Sequence, residues 1–169
     1  MIEIHPWDYL PMERFRLAWR ITDVRWTKLP PDDLAEVRPL RPEKAAELKE
    51  RSTLFFLAPY ELDQRWFAGV RSTEAPAERV ERTRGWLRDR NVDPGQTLLV
   101  SWDRETAVVT KWSVFLAYWS DFCYPSSDDV DIWPPSEEWI LAYYHFEEFS
   151  FGQRRRFPTP PLSGEDPEE

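Results

Sequence analysis

The strongest hydrophobic period in the chain lies at residues 111–123, KWSVFLAYWSDFC. Trp112, Phe115, Leu116, Trp119, Phe122 and Cys123 recur there at steps of three and four, while Ser113, Ser120 and Asp121 fall off the stripe. This spacing predicts an amphipathic helix with a heavily aromatic face. Just before it, residues 97–102 and 106–110 are two apolar runs joined by Asp103-Arg104-Glu105, which predicts a β-hairpin. After it, residues 138–145 alternate with apolar side chains on both faces: Trp139, Leu141, Tyr143 and His145 on one, Ile140, Ala142, Tyr144 and Phe146 on the other. A strand apolar on both sides belongs in the middle of a sheet. Phe146-Glu147-Glu148 turns it toward residues 149–151, a second hairpin. Two hairpins around one helix predict an α+β fold: a single domain over residues 1–156, with an antiparallel sheet and several helices packed on it.

The rest of the chain is patterned more weakly. Met12, Phe15 and Trp19, with Pro11 ahead of them, predict a short helix over about residues 11–19. Ile21, Val24 and Trp26 read as extended chain leading to the Leu29-Pro30-Pro31 break, and residues 32–37 as a brief helical turn. Pro42 opens a run of strong helix formers, so a helix is expected over residues 42–52. Residues 54–57 read as a buried strand, and residues 61–68 as a helix burying Leu62, Trp66 and Phe67. The longest expected helix covers residues 75–91, with Ala77, Val80, Arg84 and Leu87 inward, stopped by Asn91 and the Asp93-Pro94-Gly95 turn. Residues 130–133 form a short apolar segment, and residues 1–4 read at most as an edge strand. From Phe157 the chain holds four prolines and four acids with no basic residue, the composition of a disordered acidic tail over residues 157–169.

Composition sharpens this picture in two respects. Ten Trp, ten Phe and six Tyr in 169 residues mean that stability rests on aromatic packing. The net charge is −9, and the tail carries four of the acids, so the expected domain stays acidic. That balance argues against a nucleic-acid surface and favours a basic protein partner. Eighteen of the 22 basic residues are Arg, which suits fixed, bidentate pairing with carboxylates. One cysteine excludes an intrachain disulfide and a Cys-based zinc site, and Cys123 on the apolar stripe reads as a small buried hydrophobe. No apolar run reaches the roughly 20 residues a membrane span needs. The first residues lack a basic leader, so a cytoplasmic protein with no membrane contact is expected.

Candidate chemistry is sparse. Asp128, Asp129 and Asp131 form the densest carboxylate group; a divalent cation would suit them, but so would turn capping by Ser126, Ser127 and Asp128. His145 and Glu147 share a face if the strand continues, a spacing usable for a metal or for acid–base work. A strand-end His satisfied by a neighbouring carboxylate is the simpler reading. No P-loop, G-x-G-x-x-G or G-x-S-x-G sequence occurs. Arg154, Arg155 and Arg156 lie among aromatics, yet three arginines fall short of a single-strand groove and are expected to pair with nearby acids.

The successions AWRI from Ala18, TKLPPDDLAEVRPL from Thr27, VTKWSVFLAYWSDF from Val109 and FSFGQR from Phe149 resemble an uncharacterised bacterial family known only as a domain of unknown function. The resemblance covers about residues 15–156, departs most over residues 54–95, and rests on aromatic and proline positions. It implies one intact domain and carries no site residues. The expectation is therefore a non-enzymatic, acidic protein-binding module without a cofactor, of an immunity-type or inhibitory kind. Its pocket is expected around Tyr124, Asp128, Asp129, Trp133 and Trp139, with His145 and Glu147 beside it. Two alternatives stand beside it: a metal-dependent hydrolase or nuclease using Asp128, Asp129, His145 and Glu147, and a small-molecule sensor with an aromatic cage.

Overall fold

A computed structural model describes residues 1–156, so the expected tail at 157–169 lies outside the described residues. In chain order the elements are α1 (Trp19–Thr22), α2 (Pro31–Ala35), β1 (Arg38–Pro39), α3 (Pro42–Thr53), β2 (Phe56–Ala58), β3 (Glu61–Leu62) and β4 (Phe67–Glu74). They continue with α4 (Val80–Arg88), β5 (Thr97–Ser101), β6 (Ala107–Lys111), α5 (Trp112–Phe122), β7 (Val130–Trp133), β8 (Trp139–Tyr144) and β9 (Glu148–Arg154). Seven strands make one sheet in the order β1-β6-β5-β7-β8-β9-β4, every neighbour antiparallel, and β2 pairs with β3 separately. The fold is α+β. Both expected hairpins are present, with Leu99 opposite Val109 in one and Leu141 opposite Phe151 in the other. The sheet is larger than two hairpins: β7 joins them, and β1 and β4 extend the two edges.

Both sheet faces are covered, which is why the central strands read as continuously apolar. On one face Trp112, Phe115, Trp119 and Phe122 of α5 pack with Leu87 of α4 against Leu98, Val100, Ile132, Leu141 and Phe149. On the other, Ala45 and Leu48 of α3 join Phe55 and Leu62 over Leu99, Val109, Trp133 and Ile140. Two buried indoles of the first layer have their donors paired: Trp102 Nε1 donates to the Phe122 carbonyl at 2.9 Å and Trp119 Nε1 to that of Val80 at 3.2 Å. Helix α5 is kinked at Tyr118 (φ −123°, ψ 25°), and Arg84 of α4 donates to the carbonyls of Leu116 and Ala117 just before the kink at 3.0 and 2.9 Å. Among the described residues no helix is long and apolar enough to cross a membrane.

Five sequence expectations change. The strand expected to be buried at 54–57 is β2, Phe56–Ala58, paired only with β3, and Leu54 and Leu57 face water. Residues 61–68 are not a helix but β3, a turn and the start of β4. Pairing with β9 overrides the local pattern, helped by Gly69 at φ +57° and a register shift between Ala68 and Arg71. The expected helix at 11–19 breaks into a 3₁₀ turn, Met12–Arg14, and the short α1, which takes in part of the segment read as extended. The helix expected over 75–91 opens as a 3₁₀ turn, Ala77–Arg79, and is α-helical only from Val80 to Arg88. Residues 1–4 form no strand; that edge is made instead by β1 and a bridge between Tyr9 and Leu40.

Candidate functional site

The loop after α5 is organised by a buried ion pair. Asp128 accepts from Arg20 Nη1 at 2.6 Å and Nη2 at 3.2 Å, from the Tyr124 backbone N–H at 2.8 Å, and from Ser127 Oγ at 3.0 Å. The Arg20 guanidinium lies 3.9 Å from the centroid of the Tyr124 ring. Asp128 and Tyr124 thus anchor the N-terminal segment to the loop. Asp131 is likewise committed, taking Lys49 Nζ at 2.9 Å and Ser52 Oγ at 2.7 Å from α3.

The structure brings Asp129 and His145 together. His145 Nδ1 sits 3.0 Å from Asp129 Oδ1, and the His145 backbone N–H donates to the same oxygen at 3.0 Å. Both side chains are over two-fifths exposed. Glu147 turns away from them, its Oε1 taking the backbone N–H of Ala77 at 2.9 Å. Trp133 and Trp139 are buried on opposite faces of the sheet. Among the described residues no three His, Cys, Asp or Glu side chains are grouped as a metal site would require. The Cys123 thiol is buried in the α5 layer, and burial raises its pKa well above the ordinary value, so little of it is the reactive thiolate.

An apolar concavity lies elsewhere, between α3, β2 and the end of β8. A cleft of about 390 Å³ is walled by Phe56, Leu57, Pro59, Tyr60 and Tyr144, with Lys49, Asp129 and Asp131 supplying charge. The Tyr144 hydroxyl is buried and has no hydrogen-bond partner among the described residues. Burial also raises its pKa, so it stays protonated. Tyr60 shapes the rim. Its backbone is held at φ 64°, a left-handed conformation that a bulky residue rarely adopts. There its ring meets those of Tyr144, His145 and Phe146 edge-on at centroid distances of 5.2, 5.6 and 5.3 Å. Around this cleft apolar residues face water: Leu57 is 58% exposed, Phe146 50% and Tyr60 46%.

Of the residues singled out from sequence, Asp129 and Asp131 line the cleft and His145 stands at its rim; Lys49 comes from the helix expected over 42–52, Tyr144 from the expected central strand, and Leu57 and Tyr60 from the apolar run and its end. For Leu57 and Tyr60 the signal was the apolar run around residues 54–60, and an apolar run by itself reads as core. Comparison with protein-family models, with curated proteins and with solved structures finds no match to this chain.

Proposed function

We propose that the chain is a non-enzymatic protein-binding module that docks a basic, partly aliphatic segment of another protein in the α3–β2 cleft. One observation carries the reading: an apolar cleft with exposed Leu57, Tyr60 and Phe146 around it presents the solvent-exposed carboxylate of Asp129 in a chain of net charge −9. A Lys or Arg side chain has the matching form, an aliphatic stem for the ring walls and a cationic head for the carboxylate. Exposed apolar surface clustered at one concavity is the ordinary mark of a docking site. An inhibitory or immunity-type role would consist of masking such a basic partner.

The hydrolase alternative has less support, because Asp128 would have to leave Arg20 and Glu147 would have to leave the Ala77 N–H before either served a metal. The test is an amide-shift titration with short Lys/Leu peptides and, in parallel, Glu/Leu peptides. Basic peptides are expected to shift residues 53–60, 129–131 and 144–146, to bind more weakly as salt rises, and to lose binding in Leu57→Ser. Equal response to acidic peptides, or shifts confined to another face, would refute the reading.

A further inference from the structure

Phe56 and Thr53 also wall a second concavity, of about 380 Å³, whose chemistry is the reverse of the first. Arg51, Arg65 and Arg154 all line it, from α3, the segment after β3, and β9. Two carboxylates face these three guanidinium groups. Glu137, buried behind the pocket, takes Arg51 Nε and Nη2 at 2.6 and 2.7 Å and Arg154 Nη1 at 3.4 Å. Asp63, also buried, takes Arg65 Nε at 3.0 Å and Nη2 at 2.7 Å. One positive charge is therefore left over. Donors are left over too: Arg51 Nη1, Arg65 Nη1, and Nε and Nη2 of Arg154 make no hydrogen bond among the described residues. The carboxylates fix how these forks point, and Trp66 steadies Arg154, whose guanidinium carbon lies 4.9 Å from the ring centroid.

We infer that this pocket is an oxyanion site that takes the phosphoryl group of a small organic phosphate. Three guanidinium groups on three separate elements suit a tetrahedral group with three equivalent oxygens; a planar carboxylate would be satisfied by a single fork. The overall negative charge does not oppose this. It disfavours a polyanion spread over the surface, whereas one phosphoryl group is held at contact distance by charges whose geometry is already set. The site shares only Phe56 and Thr53 with the peptide cleft and does not depend on Asp129, so either can fail without the other.

The test uses the full chain at constant ionic strength, titrated with inorganic phosphate and phenyl phosphate, with chloride and citrate as controls. The Nε–H resonances of Arg51, Arg65 and Arg154 are followed, together with the melting temperature. Both phosphates are expected to move these resonances saturably and to raise the melting temperature above the chloride control. The pair-removing variant Asp63→Asn/Arg65→Gln, which leaves no buried charge unmatched, is expected to weaken phosphate binding at least tenfold with its ligand-free melting temperature little changed. Should that variant misfold, Arg65→Lys keeps the charge, loses the fork, and is expected to weaken binding too. Phosphate acting no differently from chloride, citrate binding as well as phosphate, or undiminished binding by the folded variants would each overturn the assignment.

Discussion

Arg20→Met would leave the Asp128 carboxylate buried without its cation. Both side chains are only 7% exposed, so water is poorly placed to replace the lost partner. Breaking a buried pair from one side costs about 3–5 kcal/mol. Two features pull the expectation toward the lower end. Asp128 keeps the Tyr124 N–H and the Ser127 hydroxyl, and Arg20 Nε is itself a buried donor with no partner, a penalty the substitution removes. The expected loss is about 3 kcal/mol, which for a chain of this length lowers the melting temperature by about 6–12 °C. Adding Asp128→Asn removes the stranded charge and keeps an acceptor for Tyr124, so Arg20→Met/Asp128→Asn should recover about 1–2 kcal/mol of that loss. Urea unfolding followed by the fluorescence of the buried tryptophans measures all four corners of the cycle. A loss below about 1 kcal/mol for Arg20→Met, or a double variant no more stable than the single one, would show that the pair does not anchor the N-terminal segment.

The other predictions concern packing, donors and pH. A Cβ at Gly152 would stand 2.9 Å from Phe67 Cβ, so Gly152→Ala should cost about 1–3 kcal/mol, whereas Gly85→Ala, on α4 with nothing within 4 Å, should gain about 0.5–1 kcal/mol; chemical denaturation of both checks the contrast. Trp102→Phe should destabilise more than Trp133→Phe although Trp133 is the more buried, because Trp102 loses its bond to the Phe122 carbonyl while Trp133 Nε1 is buried with no partner to lose. Hydrogen bonding to Arg51 holds the Glu137 pKa below its ordinary value of 4.5. Its contribution is therefore complete above about pH 4.5 and is lost as pH falls through the lowered value. Melting curves of Glu137→Gln should accordingly run below those of the parent at pH 7 and approach them in acid; parallel curves would refute this.

What the sequence determined by itself is the set of elements whose identity depends on near neighbours. The aromatic period around Trp112, Phe115 and Trp119 identifies α5, and the double-sided alternation around Leu141 identifies a central strand, because each residue's burial follows from which way its neighbours point. Only the tertiary structure decided the rest. Residues 67–74 are a strand because β9 lies alongside, at an edge half exposed to water, where the apolar signal is weakest. The partners of Asp128, Asp131 and Glu137 stand 108, 82 and 86 residues away, so no local spacing announces that these acids are neutralised. The candidate cleft was hidden for the same reason. Hydrophobicity at Phe55, Leu57 and Tyr60 reports only a preference for burial, and the arrangement of α3 over the sheet leaves Phe55 covered and the other two facing water.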